Sequence, residues 1–194
     1  MEPNINVLIV GVGGQGTLLT SRIIAQAVVN LGYEVKVSEV HGMAQRGGSV
    51  VTQVRFGREV YSPIISEGEA DVILAFEPIE GARWLKYLKP GGTVIVNDEK
   101  IDPLPVLSGK VKYPQDILQK IKQEVPSSYV FNCSEVAQVC GNRRAANVVM
   151  VGILSQIIAL DPENLLSALS NIVPSKALEI NQLAFQKGIG LMSA

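Results

Sequence analysis

The stretch that decides the fold is Asn6–Val10 (NVLIV), followed by Gly11–Gly16 (GVGGQG) and Thr17–Leu31 (TLLTSRIIAQAVVNL). Within it four consecutive apolar and largely β-branched residues, Val7–Val10, read as a strand buried on both faces, since a half-exposed strand would alternate. The spacing after the glycines is helical, with Leu18, Leu19, Ile23, Ala27 and Leu31 read as mostly one apolar face. Gly32 sits where a helix-ending C′ glycine is expected. Glu34–Val40 (EVKVSEV) then alternates as a second strand. A strand, a glycine turn, a helix and a strand form the opening unit of a doubly wound sheet.

Working outward, residues 41–48 (HGMAQRGG) make a glycine-rich loop. Ser49–Phe56 (SVVTQVRF) alternates, and Gly57-Arg58 turns into Glu59–Tyr61, which reads as a β-hairpin inserted into the fold. Ala70–Phe76 is a further buried strand, Glu77–Leu88 a helix with Pro78 in its first turn, and Thr93–Asn97 a strand after the breaker Lys89-Pro90-Gly91-Gly92. Residues 101–114, with Pro103, Pro105 and Pro114, read as an irregular loop. Asp116–Glu124 reads as a short helix and Tyr129–Asn132 as a short strand. From Asn142 the pattern is helical: Arg143–Leu160, then Asp161–Ile172, then Ser175 to about Lys187. With no repeat or flexible linker, residues 1–194 form one domain. The expected class is α/β, a doubly wound, mostly parallel Rossmann-like sheet with an inserted hairpin and a helical C-terminal flank.

Composition narrows the function. Lys plus Arg number 17 and Asp plus Glu 18, a net charge of -1, which lacks the basic footprint of a nucleic-acid binder. Charged residues make up only 18%, against roughly 25% in ordinary soluble domains, while hydrophobic residues reach 47%. A membrane span would need about 20 predominantly apolar residues, yet the longest apolar stretch, Ala145–Leu160, is interrupted by Asn147, Ser155 and Gln156. The N-terminus has no basic segment of a secretory signal. Two cysteines, Cys133 and Cys140, give neither a disulfide framework nor a zinc or iron–sulfur spacing, and one histidine gives no His-rich metal site. These features point to a cytoplasmic, reduced chain without a metal of its own. The apolar surplus then points to a partner surface.

Gly11, Gly13 and Gly16 satisfy G-x-G-x-x-G between a strand and a helix. In that motif the first glycine permits the turn, the second the approach of backbone to phosphate, and the third close helix packing. The helix start offers unpaired N–H groups and a positive dipole end to an anion. Glu39 lies 23 residues after Gly16, where a ribose-binding acid sits. Two readings stay open: a nicotinamide or flavin dinucleotide site, and a tight turn that Gly14 and Gln15 merely complete. No Walker lysine follows, which argues against P-loop phosphoryl transfer.

The second loop starts at the carboxyl end of a strand, where ligand crevices of open α/β sheets lie, so it is expected to neighbour the first. Arg46 offers a planar fork to a carboxylate or phosphate, or a structural ion pair. Gly47 and Gly48 allow backbone N–H groups to face an anion. His41 is a candidate general base or a hydrogen-bonding loop residue.

Taken together, Val10–Gly16, the run from Ser38 through HGMAQRGG to Val50, Tyr61-Ser62-Pro63, Ala70-Asp71-Val72, Phe76-Glu77-Pro78 and Lys89–Gly92 resemble the gamma-type domain of 2-oxoacid:ferredoxin oxidoreductases. Within that family the 41–48 loop is most similar to the small, beta subunit of indolepyruvate:ferredoxin oxidoreductases. The resemblance spans essentially the whole chain, including Gly141-Asn142 and the helical tail. It implies oxidative decarboxylation of a 2-oxoacid to an acyl-coenzyme A, with electrons passing to ferredoxin. This chain carries no Cys-x-x-Cys motif and no Gly-Asp-Gly…Asn thiamine motif. The resemblance therefore implies a large alpha subunit holding thiamine diphosphate, magnesium and iron–sulfur clusters, coenzyme A as co-substrate, and no activity for this chain alone. It makes Gly11, Gly13, Gly14, Gln15, Gly16, His41, Gln45, Arg46, Gly47, Gly48 and Ser49 cofactor-binding or partner-facing, with Arg46 reaching an anionic group. Alternatives are a gamma subunit of a pyruvate or 2-oxoglutarate enzyme, whose corresponding loop usually differs, a stand-alone NAD- or FAD-binding protein, and a non-enzymatic assembly module.

Overall fold

A computed structural model describes residues 4–42, 47–158 and 160–193. Its centre is a six-stranded sheet built from β1 (Ile5–Val12), β2 (Glu34–His41), β3 (Ser49–Gly57), β4 (Ala70–Ala75), β5 (Leu88–Asn97) and β6 (Ser128–Phe131). The strand order is β2-β3-β1-β4-β5-β6. β1, β4, β5 and β6 are mutually parallel, and β3 runs antiparallel between β1 and β2. β1 has neighbours on both sides and packed layers on both faces, so Val7, Leu8, Ile9 and Val10 are all fully buried. That is why its sequence is an uninterrupted apolar run.

The inserted hairpin is corrected in one respect. Its second arm is not Glu59–Tyr61, because residues 58–69 contain no strand. The hairpin partners are β2 and β3, joined through the glycine-rich loop. Parallel strands need a crossover of a dozen or more residues, and residues 42–48 are too few, so β3 must return antiparallel. Residues 58–69 instead fold over the sheet. Val60 N–H donates to Glu34 Oε2 at 2.9 Å and Ile65 N–H to Gln53 Oε1 at 2.6 Å, and both side chains are buried.

Eight α-helices flank the sheet among the described residues: α1 (Thr17–Asn30), α2 (Pro78–Trp84), α3 (Leu104–Leu107), α4 (Ile117–Glu124), α5 (Cys133–Val139), α6 (Ala146–Ser155), α7 (Pro162–Ile172) and α8 (Ser175–Gly190). On one face α1 and α5 to α8 pack with Val7, Ile9, Leu74 and Ile95; on the other, α2 and α4 pack with Leu8, Val10, Ile73 and Val94. α1 closes with a Schellman turn: Gly32, at φ 80°, donates to Val29 O and Tyr33 N–H to Val28 O. Its buried stripe is Thr20, Ile23, Ile24, Ala27 and Val28, whereas Leu18 and Leu31 are exposed, because packing against α7 as well as the sheet rotates the stripe away from them.

The expected single helix over 143–160 is a 3₁₀ turn at Arg143–Ala145 followed by the shorter, wholly buried α6. α5 was not anticipated. Its start is marked by Asn132, whose side chain accepts the Glu135 N–H at 3.1 Å, the first half of a capping box. α6 and α8 cross at Gly152 and Gly188, where a Cβ would lie 2.2 Å from Phe185 O and 2.1 Å from Val149 O respectively. No helix among the described residues is long and apolar enough to cross a membrane.

Candidate functional site

α1 and α2 lie on opposite faces of the sheet, so the winding reverses between β1 and β4, and ligands of open α/β sheets bind at the carboxyl ends of the strands there. The structure has a cleft of about 650 Å³ at this place, lined by the glycine loop, Phe76, the end of β5 and the turn between α5 and α6.

The glycine loop is stitched rather than open. Gln15 folds back so that Oε1 accepts the Val12 N–H at 2.8 Å and Nε2 donates to Phe76 O at 2.9 Å. One side chain thus bridges the carboxyl ends of β1 and β4. Gly11 is required beneath it, because a Cβ there would lie 2.9 Å from both Gln15 Oε1 and Phe76 Cβ. Gly16 starts α1 at φ 91° with no side-chain cap, which leaves the N–H groups of the first turn for solvent or ligand. A Cβ on Gly16 would lie 3.0 Å from the Asn147 amide. Asn147 is 2% exposed and its Nδ2 has no hydrogen-bond partner. A buried unpaired donor costs about 1–3 kcal/mol, so this amide beside a helix start marks a place for an acceptor.

The far wall is polar. Asn97 Oδ1 accepts the Cys133 N–H at 2.9 Å, and its Nδ2 reaches Phe76 O and Ser134 Oγ. Glu99 accepts from Ser134 through one oxygen and from the Arg143 guanidinium through the other, at 3.0 and 3.1 Å. Arg143 is thereby neutralised, while Arg144, which also lines the cleft, forms no ion pair among the described residues.

The two glycine loops lie together, as expected. Gly13 N–H donates to Gly48 O at 2.9 Å and Gly13 O accepts from Gly47 N–H at 3.5 Å, extending the β1–β3 ladder beyond its last pair, Val12 and Ser49. His41 and Glu39 sit across a second cleft beside Gly13, Gly14, Gly16 and Thr17. The His41 Nδ1 is 3.1 Å from Glu39 Oε1, and Glu39 Oε2 accepts from Thr52 Oγ1. Glu39 is therefore already engaged by protein groups at the position of a ribose ligand. Gln45 and Arg46 lie outside the described residues.

Several polar residues here were not singled out as site residues from sequence. Glu77, Glu80 and Tyr113 are buried at the start of α2, Glu80 against Ser49 and Tyr113 against Glu77. Burial, together with the Glu77 hydrogen bond, raises the Tyr113 hydroxyl well above the ordinary phenol range. Asn97, Glu99, Arg143 and Asn147 line the cleft. Only the Gly141-Asn142-Arg143-Arg144 run, polar and placed just before an apolar helix, marked this region in the sequence.

The family model for pyruvate ferredoxin/flavodoxin oxidoreductase matches residues 6–191. The chain belongs to this family. It is 42% identical over 189 residues to the indolepyruvate oxidoreductase subunit IorB of Thermococcus kodakarensis, covering 95% of this chain and 94% of that one. To the IorB subunit of Pyrococcus horikoshii it is 41% identical, with the same coverage. The gamma subunit of the keto/oxoacid ferredoxin oxidoreductase of Geobacter sulfurreducens, 24% identical, superposes with a TM-score of 0.73 over 98% of this chain and 99% of that chain. Membership makes the chain a small, gamma-type subunit of a 2-oxoacid:ferredoxin oxidoreductase, and its mixed sheet with flanking helices is the fold of that subunit.

Proposed function

We propose that this chain, acting as one gamma-type unit, completes an indolepyruvate- or other arylpyruvate-specific 2-oxoacid:ferredoxin oxidoreductase of the cytoplasm, whose large subunit holds the reaction centres. The carrying observation is the identity of about 40% to IorB subunits along almost the full length of both chains. Thiamine diphosphate supplies the carbanion-stabilising chemistry of such enzymes, and iron–sulfur clusters carry the electrons. The residues of this chain do not fit those groups. A cluster held by thiolates takes four cysteines, whereas this chain has two, and burial pushes the Cys133 thiol up to about 12, the wrong direction for a ligand thiolate. Among the described residues no three His, Cys, Asp or Glu side chains stand together as a metal site. The groups are therefore assigned to the partner, and no step runs through them here.

This chain's own contribution is to bind and orient. The uncapped start of α1, the unpaired Asn147 amide and Arg144 are donors of the kind that a phosphate ester of coenzyme A accepts. The second glycine loop is assigned by the family resemblance to the partner's active site, with Arg46 as its anion-binding residue.

The test is co-expression with a thiamine-diphosphate-type large subunit and assay with indolepyruvate, phenylpyruvate and pyruvate, plus coenzyme A and a ferredoxin-level acceptor. Coenzyme A-dependent reduction is expected only from the two-chain complex and fastest with the aryl substrates. Turnover by this chain alone, or a strong preference for pyruvate, would overturn the reading. Micromolar NAD(H) or FAD binding by the isolated chain would favour the dinucleotide alternative.

A further inference from the structure

The cleft at the start of α1 gathers donors that lack acceptors. α1 is 14 residues long, and Gly16 begins it at φ 91° without a side-chain cap. The N–H groups of Gly16, Thr17, Leu18 and Leu19 donate to no protein group among the described residues, so the positive end of the helix dipole opens on the cleft. Asn147 stands against the same start from α6: it lines the cleft, is 2% exposed, and its Nδ2 has no partner. A buried donor left unpaired is costly, and a helix start by itself does not require one beside it. Arg144, exposed at the same cleft, forms no ion pair among the described residues. Glu99, the only carboxylate lining the cleft, does not oppose an anion there, because Ser134 occupies one of its oxygens and Arg143 the other.

The geometry also selects among phosphates. A dinucleotide crosses the crevice at the switch point of the sheet, with its pyrophosphate at the helix start. Here the Gln15 side chain spans that crevice from Val12 N–H to Phe76 O, and Glu39 is engaged by His41 and Thr52. A pyrophosphate must continue as chain on both sides. A phosphate monoester leaves by one bond and presents three acceptor oxygens. The donors reach the cleft from three elements, the start of α1, the first turn of α6 and the 3₁₀ turn before it. We propose that this cleft is a preformed site for one phosphate monoester group, held by the N–H groups at the start of α1, the Asn147 amide and Arg144, and that Gln15 excludes a dinucleotide from it. Coenzyme A as the source, through its 3′-phosphate, rests on the proposed function; the site itself rests on this chain alone.

The test titrates the full chain with inorganic phosphate, adenosine 3′-phosphate and NAD by calorimetry, and with phosphate by amide NMR. Phosphate and the monoester should bind saturably at one site, with shifts at Gly16–Leu19 and at the Asn147 side-chain amide, and the monoester about tenfold or more tighter than NAD. Asn147→Ala and the surface variant Arg144→Ala should each weaken phosphate about tenfold, the scale of one charge-assisted hydrogen bond. Asn147→Asp should abolish binding, because it sets a like charge against the ligand. Circular dichroism checks that each variant is folded. No saturable binding by the wild-type chain, or binding that neither Asn147→Ala nor Arg144→Ala weakens, overturns the site. NAD binding as tight as the monoester overturns the exclusion by Gln15. Coenzyme A and dephospho-coenzyme A then separate the sources: a preference of about tenfold for coenzyme A supports its 3′-phosphate, and equal binding overturns that source while phosphate binding upholds the site. A two-chain complex that forms but does not turn over overturns the proposed function instead, and the titrations still decide the site.

Discussion

Replacing Gly16 by alanine separates backbone strain from contact at the candidate site. Gly14 and Gly16 both hold positive φ, 105° and 91°, so alanine at either position bears a backbone penalty of about 1–3 kcal/mol. They differ in surroundings. A Cβ on Gly14 meets nothing within 4 Å, whereas one on Gly16 meets Asn147 Cγ and Nδ2 at 3.0 Å and Cβ at 3.2 Å. Asn147 is buried in the first turn of α6, so its side chain must give by a few tenths of an ångström among packed neighbours, a form of overpacking worth about 1–3 kcal/mol. At about 2–4 °C per kcal/mol for a chain of this size, Gly16→Ala should melt about 2–12 °C below Gly14→Ala. Thermal unfolding of the two variants by circular dichroism measures this directly. Asn147→Ala removes the 3.0 Å contacts but keeps the Cβ, so the Gly16→Ala/Asn147→Ala double variant should be less destabilised than the sum of the singles by about 1 kcal/mol. Equal melting of Gly14→Ala and Gly16→Ala, or strict additivity in the double variant, would refute the reasoning that Asn147 is packed on the helix start.

Gly152→Ala should be the more severe variant, since its Cβ would meet backbone oxygen at 2.2 Å; a loss of about 3 kcal/mol or more by denaturant titration is expected because backbone cannot rotate away. In the assembled complex Arg46→Ala should depress turnover well beyond any loss of assembly, as steady-state kinetics with stoichiometry controls would show. Burial raises the Cys133 thiol from its ordinary value near 9 to about 12. The folded state then holds its proton where the unfolded state has lost it, so this stabilisation is present below pH 9 and lost between pH 9 and about 12. Cys133→Ser should flatten that alkaline decline in urea-melt midpoints, and native Cys133 should resist thiol reagents until the chain unfolds.

Much of the frame was legible from residue pattern alone. β1, β4 and the end of β5 are covered on both faces, so their burial shows directly as apolar runs, and Gly32 marks the end of α1 because a Schellman turn there requires positive φ. Less legible was whatever depended on a partner far along the chain. Glu59–Tyr61 has strand composition, yet side-chain bonds from Glu34 and Gln53 hold its surroundings as a cover over the sheet. Glu80 reads as an ordinary first-turn acid until the fold places Ser49, 31 residues away, against it.

By itself the sequence determined the opening strand–glycine–helix unit, the parallel character of the central strands, and, through GVGGQG joined to HGMAQRGG, the family. The first two are properties of local conformation and of period, which neighbouring residues impose on one another; the family is carried by resemblance of motifs. The tertiary structure alone decided which groups the glycine motif touches. Gln15 bridges two strands that are adjacent only in space, Glu39 is engaged by His41 and Thr52, and the unpaired amide of Asn147 stands beside Gly16. Hydrogen-bond satisfaction is settled by which groups burial brings together, and no spacing along the chain specifies it.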